Sequence, residues 1–314
     1  MISFIRNFLF YSVKPLVPRF LQLFLRRIIV SGQRKKYKNV WPILEKAGDK
    51  PEGWPGWPEG KQFAFVLSHD VDTQRGHDKC RLLAALEEEL GVRSAFNFVP
   101  ERYCVSRPLQ NELAASGFGI GVHGLKHDGK LFQSWKIFCK SSEKINRYIK
   151  EWNVMGFSSP SMMHNLSWMH QLDIQWDIST FDTDPFEPQP DGVETIFPFV
   201  VKDQPSGKSF IELPYTLPQD CTLFVFMKEK DITIWKNKLD WIAEKGGMAL
   251  VNSHPDYMHF GDGALGPEEY PSAFYREFIE YALKKYENRL WRALPHEIVK
   301  FAKSNSSKFP TTLV

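Results

Sequence analysis

Hydrophobic and polar positions follow two different periods along most of the chain. Short apolar runs that end in polar residues predict buried strands, and the stretches between them repeat apolar residues at helical spacing. The predicted strands cover residues 63–68, 94–99, 117–124, 153–158, 172–180, 210–215 and 248–254. The predicted helices cover residues 79–90, 109–116, 134–150, 232–244, 272–286 and 294–303. This alternation predicts an α/β fold with parallel strands, and a barrel is the arrangement we expect.

The first fifty residues differ from the rest in charge. They carry eleven lysines and arginines against Glu45 and Asp49, a net charge of +9, whereas the whole chain has a net charge of only +3. Residues 1–40 interleave these cations with Leu, Phe and Ile, without the roughly 18–20 apolar residues that a spanning helix needs. Two interpretations stay open: an amphipathic arm on an anionic membrane surface, or a helix packed on the protein with a solvated basic face.

These shifts in composition divide the chain into three parts. We predict a basic amphipathic arm at 1–50, a linker rich in Pro, Gly and Trp at 51–62, and a catalytic barrel at 63–305. The absence of a secretory signal pattern and of paired cysteines favours a cytoplasmic protein, peripheral to the inner face of the membrane if the arm binds lipid. We expect no nucleic-acid partner, and the oligomeric state is not indicated.

Unusual polar side chains stand at the ends of three predicted strands. Asp70 and Asp72 follow the first strand, His123 and His127 follow the third, and His254 follows the last. Because the loops after the carboxyl ends of such strands converge on one face, we expect these side chains to form one site.

This set of residue types is suited to metal-assisted hydrolysis. Two neutral imidazoles and one carboxylate are a common three-ligand set for a zinc-like ion with an open position. The second carboxylate would stay free as a base for a water molecule, and His254 could donate a proton to a leaving group. The residues therefore predict a metal-dependent hydrolase.

Together these segments resemble the polysaccharide deacetylases, a carbohydrate esterase family that includes members from polysaccharide biosynthesis. The family's first, second and fifth motifs resemble FVLSHDVD at 65–72, the His-x-x-x-His at 123–127, and LVNSH, which ends at His254. The resemblance spans about 63–300 and implies a distorted (β/α)7-type barrel. It implies Asp72, His123 and His127 as metal ligands, with Asp70 as general base and His254 as general acid.

The third motif of that family departs from the pattern. The family has an Arg-x-Pro whose arginine orients the base aspartate, whereas this chain has Ser158 at the arginine position and keeps Pro160. A hydroxyl supplies neither the charge nor the fork of donors of arginine. Arg75 and Arg93 are the candidates to substitute for it.

The fourth motif, an acidic stretch that tunes the catalytic histidine, is matched only approximately by WDISTFDTDPFE. Asp182 is the first candidate, followed by Asp177 and Asp184. Turn capping is an equal alternative for each of them.

The implied reaction is removal of an acetyl group, N-acetyl before O-acetyl, from a sugar or glycan precursor. The implied cofactor is a divalent metal ion, Zn²⁺ first, with Co²⁺, Ni²⁺ and Mn²⁺ as alternatives because such ligands select weakly. The aromatic residues Trp168, Trp176, Phe181 and Phe186 suit either sugar faces or core packing. Two other functions stay open: a hydrolase of another small linear amide, and a glycan-binding protein impaired by Ser158.

Overall fold

The computed structural model describes residues 17–314, so the first sixteen residues of the predicted basic arm lie outside the described part. The strands are β1 (Phe63–Val71), β2 (Ala95–Phe98), β3 (Gly119–His123), β4 (Gly156–Ser158), β5 (Trp176–Asp177), β6 (Phe199–Lys202), β7 (Ser209–Glu212), β8 (Met248–Ser253), β9 (Met258–His259), β10 (Tyr270–Pro271), β11 (Leu290–Arg292) and β12 (Thr311–Leu313). The α-helices are α1 (Arg19–Lys36), α2 (Gln74–Glu89), α3 (Arg107–Ala115), α4 (Trp135–Trp152), α5 (Thr233–Lys245), α6 (Ser272–Tyr286) and α7 (Pro295–Ser304).

A mostly parallel sheet curls into a half-barrel with helices around it. The strand order is β11-β1-β2-β3-β4-β5-β7-β6-β12, and β8 also pairs with β1. Only β6 and β7 pair antiparallel within this sheet. The backbone N–H groups of Thr216 and Leu217 both donate to the Leu250 carbonyl at 3.1 Å, so the chain after β7 reaches β8. The predicted parallel α/β barrel is confirmed.

The central strand β1 shows why the sequence folds this way. All nine of its residues are buried, and its apolar residues point to both faces, as expected for a parallel strand covered on both sides. Helix α4 shows the matching helical signals, because the Ser134 side chain accepts a hydrogen bond from the Ile137 N–H and the chain leaves the helix at Asn153 with φ 55°. These elements hold the carboxyl ends of the strands at one edge.

The helix α1 packs on the barrel through Leu23 and Val30, which are buried. The interpretation of a helix packed on the body is thus confirmed for its position, but the face it leaves in solvent is largely apolar rather than basic. No helix in the part of the chain from residue 17 onward has the length and apolar character to cross a bilayer.

The predicted elements differ from the observed ones mainly where the observed strands are short. The strand predicted at 172–180 shortens to the two residues of β5, and β6, β11 and β12 were not predicted. These strands are only two to four residues long, so they show too little periodicity to be recognised.

Candidate active site and metal centre

The carboxylate of Asp70 is held from three sides at the carboxyl end of β1. Its Oδ1 accepts hydrogen bonds from Asn97 Nδ2 (3.0 Å) and Ser158 Oγ (2.6 Å), and its Oδ2 accepts one from Asn252 Nδ2 (2.8 Å). The parallel register places Asn97 beside Asp70, and the next residue in that row is Gly121. A Cβ at Gly121 would lie 2.2 Å from the Asn97 side-chain oxygen, so the glycine makes room for this amide.

Ser158 links the predicted base to a predicted ligand. Its hydroxyl donates to Asp70 and lies 2.7 Å from His123 Nδ1, so it can also accept a hydrogen bond from the His123 ring. Arg75 contacts Glu268 and Arg93 contacts backbone carbonyls, so the expectation that either arginine orients Asp70 is wrong. Two amides and one hydroxyl hold this carboxylate instead.

The three predicted metal ligands converge on one point. His123 Nε2 and His127 Nε2 lie 3.3 and 3.0 Å from the same Asp72 Oδ1, and one ligand atom from each residue lies within 4.8 Å of the others. That carboxylate oxygen is buried and has no hydrogen-bond partner. Buried polar atoms are normally paired, so an unpaired oxygen facing two imidazole nitrogens fits a cation held jointly by the three residues.

The charges around Asp72 support the same assignment. Burial alone would raise the pKa of the Asp72 carboxyl, but the neighbouring imidazoles of His127 and His123 outweigh it and hold the pKa well below its usual range. The Asp72 carboxylate therefore stays ionised, which is the form that binds a metal.

The backbone around the triad is shaped to bring the ligands together. His127 adopts φ 54°, a left-handed conformation that is uncommon for a residue with a side chain. Gly124 has φ 59°, and a Cβ there would lie 2.5 Å from the ring of Pro160, the proline kept from the third motif. The Asp72 N–H donates to Asp256 Oδ2 at 2.9 Å, which fixes the turn after β1.

His254 is oriented by Asp220. Its Nδ1 lies 2.7 Å from Asp220 Oδ1, and its backbone N–H donates to Asp220 Oδ2 at 2.9 Å. Burial disfavours the imidazolium, but the carboxylates of Asp220, Asp72 and Asp70 outweigh burial and raise the pKa of His254 to about 10. With Nδ1 bound to Asp220, Nε2 is the atom left for a ligand in the cavity.

The prediction that Asp182 tunes His254 is wrong. Asp182 forms a buried ion pair with Lys238 Nζ at 2.5 Å, which compensates the burial of both charges. Asp177 and Asp184 also bind other partners, through the neighbouring hydroxyls of Ser179 and Tyr215. Asp220 was missed because it lies beyond the acidic stretch, in a loop before the π-helix Cys221–Phe226.

A second group of metal-ligand types, Asp220, Cys221 and His254, also lies within 4.8 Å. Burial and the neighbouring Asp220 charge raise the pKa of the Cys221 thiol well above its usual value. Because metals bind the thiolate rather than the thiol, this group is better described as a histidine–carboxylate pair than as a metal site.

One cavity of about 190 Å³ joins the candidate metal ligands to Asp70 and His254. Its lining includes five of the six predicted site residues, Asp70, Asp72, His123, His127 and His254, but not Asp182. On one side the wall is formed by α1. The four aromatic residues considered for sugar binding are not part of the lining, and Trp176, Phe181 and Phe186 are buried, so core packing explains them. The aromatic side chains at the cavity are Phe226 and Tyr257.

No protein-family model and no curated protein sequence matches this chain. Solved structures are similar in fold. A protein assigned as a polysaccharide deacetylase from Mycobacterium smegmatis superposes with a TM-score of 0.63 at 18% identity, covering 84% of this chain and 98% of that one. Another such protein, from Pseudomonas aeruginosa PAO1, gives 0.57 at 16% identity, with coverages of 83% and 97%. Puue allantoinase gives 0.60 at 14% identity, with the same coverages.

These comparisons concern the arrangement of the chain in space. The three structures named above each match more than four-fifths of it, and two of them are assigned as polysaccharide deacetylases. The chain therefore has the distorted (β/α) barrel fold of the polysaccharide deacetylases, as the motifs implied.

Proposed function

We propose that this protein is a metal-dependent hydrolase that removes an acetyl group, N-acetyl in the first place, from a sugar or glycan precursor. The observation that carries the proposal is the single cavity in which Asp70 and His254 accompany the cluster of Asp72, His123 and His127. The fold shared with structures assigned as polysaccharide deacetylases supports the acetyl group as the group removed.

Asp72, His123 and His127 would hold the metal ion. A divalent cation bound there supplies a Lewis acid that polarises an acyl oxygen and makes water more acidic. We propose Zn²⁺, since two imidazoles and one carboxylate are a frequent zinc set, with Co²⁺, Ni²⁺ and Mn²⁺ as alternatives.

Asp70 acts as the general base in this proposal. Its carboxylate takes the proton from the attacking water, and the donors on Asn97, Ser158 and Asn252 fix its orientation for that transfer. The hydroxyl of Ser158 thus performs the orienting role that an arginine performs in the family motif.

His254 acts as the general acid. An amide nitrogen leaves readily only after it is protonated, and the pKa of about 10 keeps His254 charged at neutral pH before the transfer. Asp220 fixes the orientation of the His254 ring. Its carboxylate lies 2.7 Å from His254 Nδ1 and stabilises the positive charge of the imidazolium.

A second candidate is hydrolysis of another small linear amide. The observation in its favour is the likeness to Puue allantoinase, with a TM-score of 0.60. The alternative of an impaired glycan-binding protein rests on Ser158, and the three hydrogen bonds that hold Asp70 argue against it.

The test is product release from a panel of N-acetylated sugars, O-acetylated sugars and allantoin, with and without a chelator. We expect acetate from an N-acetyl sugar, loss of activity with chelator, and a rate about 10²–10⁴-fold lower for Asp70→Asn. Asp128→Asn, an exposed carboxylate of the neighbouring loop, is the matched control and keeps full activity. A wild type that binds metal and sugar but releases no more acetate than Asp70→Asn would show a binding protein.

A further inference from the structure

The outer side of α1 is an apolar surface that no described residue covers. Thirteen large hydrophobic side chains of the described residues are exposed, and six of them lie on this one helix. This apolar face of α1 consists of Phe20, Leu21, Phe24, Leu25, Ile28 and Ile29. Exposed fractions of 37–74% in one contiguous patch are unusual for a surface in water and mark an interaction site.

The opposite side of α1 binds the body of the protein through its arginines. Arg27 donates to the Val225 and Pro267 carbonyls at 3.1 and 2.7 Å, and Arg19 pairs with Glu268. The helix therefore turns Arg19 and Arg27 toward the body and six of its apolar residues outward, unlike an ordinary surface helix, which exposes mainly polar residues. These fixed inward contacts hold the apolar face in its outward position.

The outer side of α1 also carries positive charge in its last turn. Lys35 and Lys36 are exposed, and they follow Phe24 and Leu25 by eleven residues, about three helical turns, so they lie on the same side in the last turn. An apolar stripe beside lysines is the pattern of helices that lie in the interface of anionic bilayers.

The inner side of α1 is also a wall of the candidate active site. Arg19, Gln22, Leu23 and Arg26 line the same cavity as Asp70. The apolar face and the cavity wall are thus two sides of one helix, about 10 Å apart. A bilayer that contacts the outer side would lie about one helix diameter from the cavity.

We propose that the apolar face of α1 binds an anionic lipid bilayer and that the substrate is an acetylated glycan anchored in that bilayer. The membrane contact stands on the geometry of α1 alone. The class of substrate rests on the proposed deacetylase function, with the sugar reaching the cavity while its lipid stays in the membrane.

The membrane contact is tested by sedimentation of the full chain with vesicles. One set contains phosphatidylcholine and phosphatidylglycerol in equal parts, and the other contains phosphatidylcholine alone. We expect binding to the anionic set and loss of about tenfold in affinity for each of Phe20→Ser, Phe24→Ser and Ile28→Ser. Lys35→Glu with Lys36→Glu weakens binding to the anionic vesicles only. Leu82→Ser, an exposed leucine of α2, is the matched control and binds as the wild type does.

Other occupants of the apolar face give different results. A triple serine variant combines Phe20→Ser, Phe24→Ser and Ile28→Ser. Equal vesicle binding by the wild type and this variant would overturn the proposal, because another segment would then carry the contact. The wild type could instead fail to bind vesicles and form a dimer that the triple serine variant does not form. This result would assign the apolar face of α1 to a second copy of the chain and would also overturn the proposal.

Two further measurements distinguish failure of this proposal from failure of the proposed hydrolase function. Asp70→Asn binds vesicles as the wild type does, since the apolar face is intact. The triple serine variant releases acetate from a water-soluble acetyl sugar at the wild-type rate but loses at least tenfold on a lipid-linked one. Equal loss on both substrates would overturn the membrane-anchored substrate, whereas absence of any acetate release would contradict only the hydrolase.

Discussion

Two buried polar clusters lie on opposite faces of β1 at its carboxyl end. Side chains alternate along a strand, so His69 points to one face while Asp70 and Asp72 point to the other. His69 binds Ser253 Oγ at 2.9 Å and Glu87 Oε1 at 2.8 Å, and neither His69 nor Glu87 has any exposed surface. Both clusters combine imidazole and carboxylate groups, but only one of them lines a cavity.

The clusters differ in how completely their atoms are paired. Glu87 also accepts hydrogen bonds from Ser94 Oγ at 2.6 Å and from the Tyr275 hydroxyl at 2.5 Å, so the cluster around it is saturated. The Asp72 oxygen between two imidazoles has no hydrogen-bond partner. A saturated buried network stabilises the fold, whereas an unpaired ligand atom is available to bind something else. Residue type alone does not distinguish the structural cluster around Glu87 from the candidate binding site around Asp72.

The largest effect on stability is expected at the saturated cluster. Glu87→Ala leaves three buried groups, on His69, Ser94 and Tyr275, without their acceptor, so the free energy of unfolding falls by about 3 kcal/mol or more. Denaturant unfolding measures this loss of stability. We expect the Glu87→Ala protein that stays folded to keep its bound metal. The control Glu88→Ala, one residue further and exposed, changes stability by less than about 0.5 kcal/mol. Metal loss at unchanged stability would reverse the assignment of the two clusters.

A smaller effect is expected at Ser158, which joins the base to a ligand. Ser158→Ala removes the hydrogen bonds to both Asp70 and His123, and we expect activity or metal affinity to fall about 10–100-fold. The control is Ser159→Ala, because the Ser159 hydroxyl is buried without a partner and its loss should leave turnover unchanged. Equal turnover in the two variants would show that Ser158 does not orient the base.

A further effect concerns the pH dependence of stability, at the buried carboxyl of Asp184. Burial and the nearby charge of Glu187 raise the pKa of Asp184 from 3.8 to about 8. The folded state therefore holds a proton that the unfolded state has lost, and stability falls as pH rises from about 4 to 8. Asp184→Asn removes this contribution, so its thermal midpoint declines less over that range. Parallel declines for Asp184→Asn and the wild type would contradict the raised pKa.

The sequence allowed prediction of the parallel barrel and of five residues that line the cavity, because strand ends and motif spacing mark them. It did not reveal Asn97 and Asn252, although each is a polar residue inside an apolar run. Which carboxylate contacts His254 depends on how distant loops fold. The sequence therefore favours Asp182, whereas the structure places Asp220 beside His254 and pairs Asp182 with Lys238. The outward orientation of the apolar residues of α1 likewise depends on contacts with distant carbonyls.

Some expectations stay predictions. These are the division into an arm at 1–50, a linker at 51–62 and a barrel at 63–305, the cytoplasmic location, and the choice of Zn²⁺. Trp57 of the predicted linker is buried, with its indole N–H donating to the Gly246 carbonyl at 2.8 Å, so this segment packs near the amino end of β8.

The central claim is that Asp72, His123 and His127 hold one divalent cation. Metal analysis of the purified full chain tests it most directly, alongside His127→Ala and the control His296→Ala, which removes an exposed imidazole. The account predicts one divalent ion per chain in the wild type and in His296→Ala, and none in His127→Ala. A wild type without a bound divalent ion, or a His127→Ala variant that keeps it, would contradict the account.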